Sequence, residues 1–394
     1  MKSHDVIVVG NGLAGAALSY ELAKSGCSVL LMDDGNYDSG TRYSYGGIGW
    51  WAGTTDLTET LFNEGMTRHR ELPDELGADT QLRELDLLLT VNKGANVEQL
   101  IESYQVFRTP PRFVSAAEAC DIEPQLNADV IEGAFTIRHG HVNPMGLVTA
   151  YNQAFRRLGG LHNMTPVQGL VRVGDKVTGV LTEAQAYPAK TVIVAAGAYS
   201  RQLVQAAGLT VPLFFTHAEI IETPPLAVEV RSLIMPAANS RFEKEAEAAE
   251  QSSLWQTADT EIMPAVLEAG VIQFADKTAR IGQISRFHTA YMPTADASTS
   301  GQALQDAIAH QVPALKDVAG SWRHCLVTFT QDGLPLLGPI PGVSGLHLFS
   351  GFTGPFALVP PVAQRYARHL AGKPESLADK MLDQMLVDRF AVSA

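Results

Sequence analysis

The sequence has few cysteines and no long apolar segment, and both absences restrict what the protein can be. Cys27, Cys120 and Cys325 are the only cysteines in 394 residues. This odd, low number argues against a disulfide framework and favours a reducing, cytoplasmic compartment. No run of about 18 apolar residues occurs, so we expect no membrane span. The residues ahead of the first apolar strand are too few for a signal peptide.

The sequence also has fewer basic than acidic residues. The chain has 29 Lys and Arg against 42 Asp and Glu, which gives a net charge of −13. Nucleic acids and acidic membrane surfaces attract clustered cationic groups, so neither is an expected partner. An apolar content of 46% and a charged content of 18% are typical of a globular chain, and the length allows two domains.

The first 34 residues have the pattern of a dinucleotide-binding βαβ unit. An apolar strand over residues 6–9 leads into a turn with the spacing GxGxxG, a helix and a second apolar strand over 29–32. The first glycine allows a tight turn, the second lets a pyrophosphate approach, and the third lets helix and strand pack closely. An acid after the second strand can accept the ribose hydroxyls, which disfavours NADP but does not distinguish NAD from FAD. These residues are Gly10, Gly12, Gly15 and Asp33.

A second glycine-rich stretch, residues 35–55, is too rich in glycine for a helix or strand interior. We expect a loop that contacts a large flat ligand, with donors from Arg42, Tyr43 and Ser44. Trp50 and Trp51 would either form apolar walls of a pocket or pack in an ordinary core.

Farther along, the patterns alternate between strands and helices. Residues 56–85 are predicted to be helical, and a turn that holds His139 and His141 is predicted before a helix at Pro144. Two histidines in a turn could bind a metal, but no third ligand is at a convincing spacing, so we predict no metal site. Residues 223–324 differ in composition and are predicted to form an inserted domain.

Two later strands also end in glycines. One covers residues 191–195 and ends near Gly197; the other covers 346–349 and runs into the segment 351–356, with a helix expected from about Pro361. A strand followed by glycines at a helix start is typical of an element that faces a ligand.

Taken as a set, these segments resemble the FAD-dependent D-amino-acid oxidase superfamily, in its glycine oxidase and monomeric sarcosine oxidase-like branch. The segments are VIVVGNGLAG with Asp33, GHVNP at 140–144, TVIVAAGAYS at 191–200 and TQDGLPLLGPIPGVSGLHLFSGFTG at 330–354. The resemblance implies an α/β fold: a Rossmann-like, GR2-type FAD-binding domain with an inserted antiparallel-sheet α+β substrate domain. The first would comprise 1–85, 140–215 and 325–394, and the second 86–139 and 216–324.

The resemblance also implies the chemistry. Such proteins bind FAD and oxidise the C–N bond of a small amine or amino acid by hydride transfer to flavin N5, and oxygen or a quinone then takes the electrons. The implied FAD-binding residues are Gly10, Gly12, Gly15, Asp33, Asp34, Arg42, Tyr43, Ser44, Gly46, Gly47, Ile48, Val167, Ala196, Gly197, Cys325, Gly351, Phe352, Thr353, Gly354, Pro355 and Phe356.

Cys325 matches, within CLVTFTQD, a cysteine that is thioether-linked to the flavin in monomeric sarcosine oxidase-like enzymes. The same residue could equally be a small buried side chain without any covalent link, as most free cysteines are.

The chain departs from the family at the substrate carboxylate. Val327 stands where glycine oxidase-like members have an arginine, and Ala357 stands where sarcosine oxidase-like members have a lysine. Since a buried carboxylate without a cation is costly, another cation must replace these or the substrate has no carboxylate near the reacting carbon. Arg280, Arg286 and Arg42 are the candidate cations, although each could instead be a surface charge or a structural ion pair.

Arg280 falls where sarcosine oxidase-like enzymes have a lysine that promotes reaction with oxygen. An apolar substrate pocket is predicted from Trp50, Trp51, Tyr291 and Phe352.

Two alternative functions remain open at this point. One is an FAD-dependent 2-hydroxy-acid dehydrogenase, which would need a base such as His217 or His288. The other is an FAD-binding subunit without turnover of its own.

Overall fold

A computed structural model describes residues 3–36, 38–238, 240–292, 294–373 and 376–390. The strands in chain order are β1 (His4–Val9), β2 (Val29–Asp33), β3 (Gly47–Ile48), β4 (Arg83–Asn92), β5 (Arg112–Ser115), β6 (Ile131–His141), β7 (Leu161–Met164), β8 (Gly169–Val173), β9 (Lys176–Leu181), β10 (Ala186–Val194), β11 (Phe214–Glu222), β12 (Leu233–Pro236), β13 (Glu261–Gln273), β14 (Ala279–His288), β15 (Ser321–Phe329), β16 (Leu336–Pro339) and β17 (Leu346–Ser350).

The helices pack on or between these strands. They are α1 (Leu13–Lys24), α2 (Gly40–Tyr43), α3 (Asp56–Leu76), α4 (Val97–Tyr104), α5 (Ala116–Ile122), α6 (Pro144–Arg157), α7 (Tyr199–Ala206), α8 (Ser240–Glu250), α9 (Ala297–Gln311), α10 (Pro355–Leu370) and α11 (Ser376–Asp383).

The first sheet has the order β16-β17-β10-β1-β2-β7, and the β8–β9 hairpin joins it at β10. Strands β17, β10, β1, β2 and β7 are parallel, while β16 is antiparallel to β17. Because helices cover its parallel strands, β1 is apolar and buried, as its β-branched sequence predicts. The carboxyl ends of β1, β2 and β10 therefore meet at one edge of this sheet.

The second sheet has the order β15-β11-β14-β13-β12-β4-β6-β3, with β5 paired to β6. Its neighbouring strands are antiparallel except for β12 and β4, which run parallel. This sheet is made mostly of the segments predicted to form the inserted substrate domain. All of β15 belongs to it, so the predicted boundary at residue 325 falls inside a strand.

Helix α10 packs against both α1 and α3. The contact with α3 is close at Gly65, where an added Cβ would lie 1.9 Å from the carbonyl oxygen of Ala357. This packing fixes the start of α10 beside the glycine turn of β1.

Three local predictions were wrong. The helix predicted over residues 56–85 ends at Leu76, and Arg83 already begins β4. The predicted turn with His139 and His141 is instead the end of β6, where both side chains are buried. The last long helix begins at Pro355 rather than near Pro361, because a proline in the first turn needs no intrahelical donor.

No helix among these described residues is long and apolar enough to cross a membrane.

Candidate active site

A cavity of about 1240 Å³ lies where the carboxyl ends of β1, β2 and β10 face the second sheet. Its nucleotide side is formed by the turn after β1, the end of β2 and the loop after β10. Its other side is formed by apolar residues of the second sheet and by α8, and we call that side the chamber. The chamber residues include Leu87, Leu89, Leu233, Met235, Arg241, Glu245 and Glu268.

The glycine turn after β1 is shaped by close backbone contacts. Gly10 has φ +105°, a conformation that favours glycine, and a Cβ there would lie 2.6 Å from the Ala195 carbonyl oxygen. A Cβ on Gly15 would lie 1.8 Å from the carbonyl oxygen of Gly10. Gly15 does not line the cavity, so it lets α1 pack on the turn, whereas Gly10 and Gly12 form the cavity wall.

The start of α1 presents unsatisfied donors to this cavity. The N–H of Leu13 donates to Thr41 Oγ1 at 3.1 Å. Among the described residues, no acceptor is found for the N–H groups of Gly12 and Ala14, and Asn11 Oδ1 is buried without a partner. Helix N-termini with free N–H groups bind phosphate, so this end of the cavity fits a pyrophosphate.

Asp33 stands at the end of β2 with its carboxylate held in place. Oδ2 accepts the N–H of Asn11 at 2.7 Å, and Oδ1 accepts the N–H of Gly35 at 2.8 Å. Burial raises the pKa of Asp33, and these two hydrogen bonds oppose that shift. The fixed carboxylate at the cavity wall can accept further hydrogen bonds from a ribose, and the exposed Asp34 lies beside it.

Two other backbone segments on the nucleotide side also have free polar groups. Neither the N–H nor the carbonyl oxygen of Val167 bonds to another described residue, and the same holds for the N–H groups of Ala196 and Gly197. All three residues line the cavity. They can therefore hydrogen-bond a bound nucleotide without breaking a protein contact.

The segment from Ser350 to Ala357 brings a second helix start to the cavity. Gly351 and Gly354 have φ +77° and +70°, and Gly354 is the residue before the first turn of α10. Among the described residues, no acceptor is found for the N–H groups of Phe352 and Thr353. A negative charge on a bound ring would be stabilised here by these donors and by the helix dipole.

The glycine-rich loop after β2 contributes only part of what was predicted. Tyr43, Ser44 and Gly47 line the cavity. Ile48 is fully buried, and a Cβ on Gly46 would lie 2.2 Å from the carbonyl oxygen of Val142, so both belong to the packing behind the wall. Arg42 faces away and makes two hydrogen bonds to Glu222, at 2.6 and 3.2 Å.

Cys325 lies in the cavity wall on β15 and is 4% exposed. It packs with Tyr43, Ala218, Ile220 and Val327. Burial raises the pKa of its thiol to about 12, so the thiol is protonated near neutral pH.

His139 is a cavity residue that the sequence did not reveal as part of the site. The indole N–H of Trp51 donates to His139 Nδ1 at 3.1 Å. Because indole can only donate, Nδ1 accepts, and the proton of the neutral ring is on Nε2. That Nε2 is buried without a partner among the described residues, and burial lowers the pKa of His139 to about 4. His139 therefore has an unused donor at the wall formed by Gly47, where a Cβ would lie 2.7 Å from Nε2.

Arg280 and Arg286, the other two candidate cations for a substrate carboxylate, do not line this cavity. Arg286 forms an ion pair of 2.5 Å with the buried Glu219. Arg280 is 6% exposed, donates a hydrogen bond to the Ser44 carbonyl oxygen and lies 3.6 Å from Glu222. Each guanidinium already has an acidic partner, so neither is free to take a substrate carboxylate.

A second, smaller cavity of about 590 Å³ lies beside Glu222. Arg280 lines it together with Arg42 and Arg323, and all three face Glu222. This group has more positive than negative charge.

Only some of the aromatic residues predicted to form the substrate pocket line the cavity. Trp51 and Phe352 line the cavity. Trp50 packs against the hydrophobic core, and Tyr291 packs on Tyr199 and Phe215, so neither of them lines it.

The histidines considered as bases for a hydroxy acid also lie elsewhere. His217 Nδ1 is 2.8 Å from His324 Nε2, its Nε2 is 3.3 Å from the carbonyl oxygen of His288, and neither His217 nor His288 lines the cavity.

Comparison with known proteins agrees with this geometry. Residues 5–369 match the model of the family described as DAO, FAD dependent oxidoreductase. Glycine oxidase of Pseudomonas aeruginosa is 25% identical over 397 residues, which cover 96% of this chain and 97% of the relative. A 4-methylaminobutanoate oxidase (formaldehyde-forming) of Paenarthrobacter nicotinovorans is 28% identical over 217 residues, 53% of this chain but only 26% of that protein.

Solved structures show the same fold. The crystal structure of glycine oxidase from Geobacillus kaustophilus has a TM-score of 0.76 and 21% identity, with 95% of this chain and 96% of that chain covered. The L-proline dehydrogenase of P. horikoshii has a TM-score of 0.75 and 17% identity, with 98% and 99% covered. These matches confirm the predicted fold class and the predicted resemblance. The chain belongs to the DAO family of FAD-dependent oxidoreductases.

Proposed function

We propose that the protein binds FAD in the large cavity and oxidises the C–N bond of a small amine or amino acid. The observation that carries this proposal is the continuity of the cavity. One space of about 1240 Å³ joins the phosphate-binding turn of α1 to an apolar chamber on the second sheet. A dinucleotide cofactor and a small substrate can therefore lie in contact.

The residues on the nucleotide side fit FAD. Free N–H groups at α1 would hold the pyrophosphate, Asp33 the ribose, and Val167 the adenine end. The segment Gly351–Phe356 and the donor of His139 would hold the polar edge of the ring. When bound, FAD would accept a hydride from the carbon next to nitrogen, so that the substrate becomes an imine that water hydrolyses to a carbonyl compound and a free amine.

The chamber favours binding of the substrate as a neutral amine rather than as an ammonium ion. Leu87, Leu89, Leu233 and Met235 supply apolar surface next to the nucleotide side. Removing an ammonium from water lowers its pKa, so an amine that enters this surface gives up its proton to solvent. The neutral amine then has the lone pair that imine formation requires, without a side-chain base.

Cys325 determines whether FAD is bound covalently. Cys325 is near enough to the cavity to contact the ring, but a thioether requires the thiolate, and burial keeps this thiol protonated. We therefore expect FAD to be bound without a covalent link.

For the electron acceptor, the arginine group around Glu222 supports oxygen over a quinone. Oxygen becomes negatively charged when it takes an electron, and the buried guanidinium of Arg280 lies against the Ser44 carbonyl of the cavity wall. A nearby fixed positive charge stabilises such an anion.

Product analysis tests the proposed reaction. The FAD-loaded protein is incubated in air with primary and secondary amines, D- and L-amino acids, N-methyl amino acids and 2-hydroxy acids. We expect a carbonyl product and a released amine or ammonia in equal amounts. Carbonyl formation from hydroxy acids only, without released amine, would replace this reaction by the hydroxy-acid alternative. No product from any compound would favour a subunit without turnover.

A further inference from the structure

Three charged side chains face the otherwise apolar chamber, and no part of the proposed reaction uses them. Arg241 and Glu245 lie on α8, and Glu268 lies on β13, which α8 packs against. We call them the chamber charges. Sequence patterns did not reveal this cluster, because Glu268 is distant in the chain from Arg241 and Glu245.

Glu245 is the most unusual of the three. It is 7% exposed, and among the described residues none donates a hydrogen bond to its carboxylate. Its ion pair with Arg241 Nε is long, at 4.0 Å. Burial raises the pKa of Glu245, and the charge of Glu268 raises it further. Buried carboxylates are normally closely paired or hydrogen-bonded, whereas Glu245 has only this long ion pair.

Glu268 is held rigidly beside it. Its Oε1 accepts the hydroxyl of Ser240 at 2.5 Å and the N–H of Arg241 at 3.1 Å. Both donors lie at the start of α8, where a carboxylate stabilises the helix dipole. Glu268 is therefore fixed at the start of α8, and no described residue donates a hydrogen bond to its Oε2.

The count of charges indicates what the chamber binds. Arg241 is the one Lys or Arg among the described residues that line the large cavity, and the carboxylates of Glu245 and Glu268 line the same chamber. A substrate carboxylate in the chamber would be a third negative group where there is only one guanidinium. A substrate ammonium would instead give two positive and two negative groups, which is the balanced arrangement in a low-dielectric site.

Resting on the proposed function, we propose that the substrate carries a second positive charge, remote from the reacting amine, which Glu245 and Glu268 bind. The substrate class is then a diamine or a polyamine, in which one nitrogen is neutral and reacts while another remains an ammonium. This agrees with the absence of a cation at Val327 and Ala357, the positions where family members bind a carboxylate.

A matched series of amines separates the possibilities. Butylamine, 4-aminobutanoate and 1,4-diaminobutane have the same chain length and end in a methyl group, a carboxylate and an ammonium. Their N-methyl derivatives extend the series to secondary amines. Anaerobic reduction of the bound flavin gives the rate and the apparent affinity for each compound. We expect the diamine to have a rate-to-Kd ratio at least about tenfold above that of butylamine, and 4-aminobutanoate to have the lowest.

The variants Glu245→Gln and Glu268→Gln remove one negative charge each with little change in shape. We expect each to reduce the preference for diamine over butylamine about tenfold or more. The matched control is Glu247→Gln, on the same helix but exposed and paired with Lys244 at 2.7 Å, which should leave the preference unchanged. Calorimetric titration of oxidised holoenzyme with 1,4-diaminobutane at low temperature under argon gives a second readout, in which binding should weaken in both variants.

The outcomes separate this inference from the proposed function. Reduction by amines with a preference for 4-aminobutanoate, or a diamine preference that survives both substitutions, would overturn the inference and leave amine oxidation standing. Absence of reduction by every amine would overturn the proposed function. In that case diamine binding by calorimetry, weakened by Glu245→Gln, would still support a cation site, and no binding would overturn it.

Discussion

Individual residues at the cavity wall have two different roles. Some are placed to contact a bound ligand, and others pack behind the wall and fix its shape. Gly12 has open space in front of it apart from Thr41 Oγ1 at 3.1 Å from an added Cβ. Gly15, in the same motif, is packed on the turn itself. The spacing GxGxxG therefore contains two different physical requirements, an approach by a ligand and a contact between a helix and a turn.

Gly15→Ala should destabilise the protein and reduce its FAD content. Its Cβ would lie 1.8 Å from the Gly10 carbonyl oxygen, so α1 must shift away from β1. Overpacking of this kind costs about 1–3 kcal/mol of unfolding free energy. Urea unfolding and the flavin-to-protein absorbance ratio measure both effects. Gly301→Ala is the control, since that helical glycine has nothing within 4 Å of an added Cβ and should be neutral or stabilising.

Cys325 decides whether FAD is released on unfolding. We expect acid precipitation of the wild-type holoenzyme to leave the flavin in the supernatant, since burial keeps the thiol protonated. Cys325→Ala should behave in the same way. Flavin that remains with precipitated wild-type protein and Cys120→Ala, but is released from Cys325→Ala, would establish the thioether and refute this expectation.

Arg280 should affect the reaction with oxygen more than the reaction with substrate. Replacement by methionine removes the buried positive charge next to the Ser44 carbonyl, and we expect reoxidation of the reduced enzyme by oxygen to slow about tenfold or more. The rate of anaerobic reduction should change little. Stopped-flow measurement of both half-reactions checks this, with Arg323→Met, whose side chain is 42% exposed, as the comparison. A loss confined to anaerobic reduction would instead indicate a role toward the substrate.

At the scale of secondary-structure elements, α1 and α3 are joined by a cluster of ion pairs. Arg68 contacts Glu75 and Glu71, both at 2.8 Å, and Glu21 at 3.3 Å. Lys24 also pairs with Glu75 at 2.7 Å. The cluster connects the nucleotide-binding helix to the helix that carries the close contact with α10.

This cluster should make stability depend on pH. Burial opposes ionisation of Glu75, but hydrogen bonds from Arg68 and Lys24 outweigh it and lower its pKa from 4.5 to about 2. A carboxyl group whose pKa is lower in the folded state stabilises the fold above its unfolded pKa, and this contribution is lost as the pH falls from about 4.5 toward 2.

Glu75→Gln should therefore reduce the decline of unfolding free energy between about pH 5 and pH 3 relative to wild type. Chemical denaturation at a series of pH values measures it. Glu84→Gln, which removes a surface ion pair with Arg70, should leave the slope as in wild type, because exposed pairs contribute little. Parallel slopes for wild type and Glu75→Gln would contradict the assignment.

The elements that sequence predicted well are those with a strong local pattern. The βαβ unit occurs as expected, because strand periodicity and turn glycines act over a few residues. The start of α10 and the burial of His139 were missed, because they depend on which distant segment covers them. No local pattern could place Glu268 opposite α8, since a strand and a helix from separate segments meet there.

At the scale of the whole molecule, function depends on how the two sheets face each other. Residues from the glycine turn, the loop after β10 and the start of α10 form one side of the cavity, and residues from the second sheet and α8 form the other. Arg280 and Arg286, which were predicted from their positions in the sequence, lie in ion pairs outside this cavity, because a single sequence does not show which face of a strand a side chain occupies. The division into domains at the predicted boundaries stays a prediction, and so does a cytoplasmic location.

The central claim is that the large cavity holds FAD next to an amine. The most direct test is the anaerobic loss of the absorbance of oxidised flavin at about 450 nm. The protein is loaded with FAD and mixed without oxygen with the matched butyl series and with amino acids and 2-hydroxy acids. We predict rapid bleaching by amines, strongest with 1,4-diaminobutane, and none by hydroxy acids. Bleaching by hydroxy acids alone would contradict the account. So would a bound flavin that is reduced by dithionite but by none of the amines.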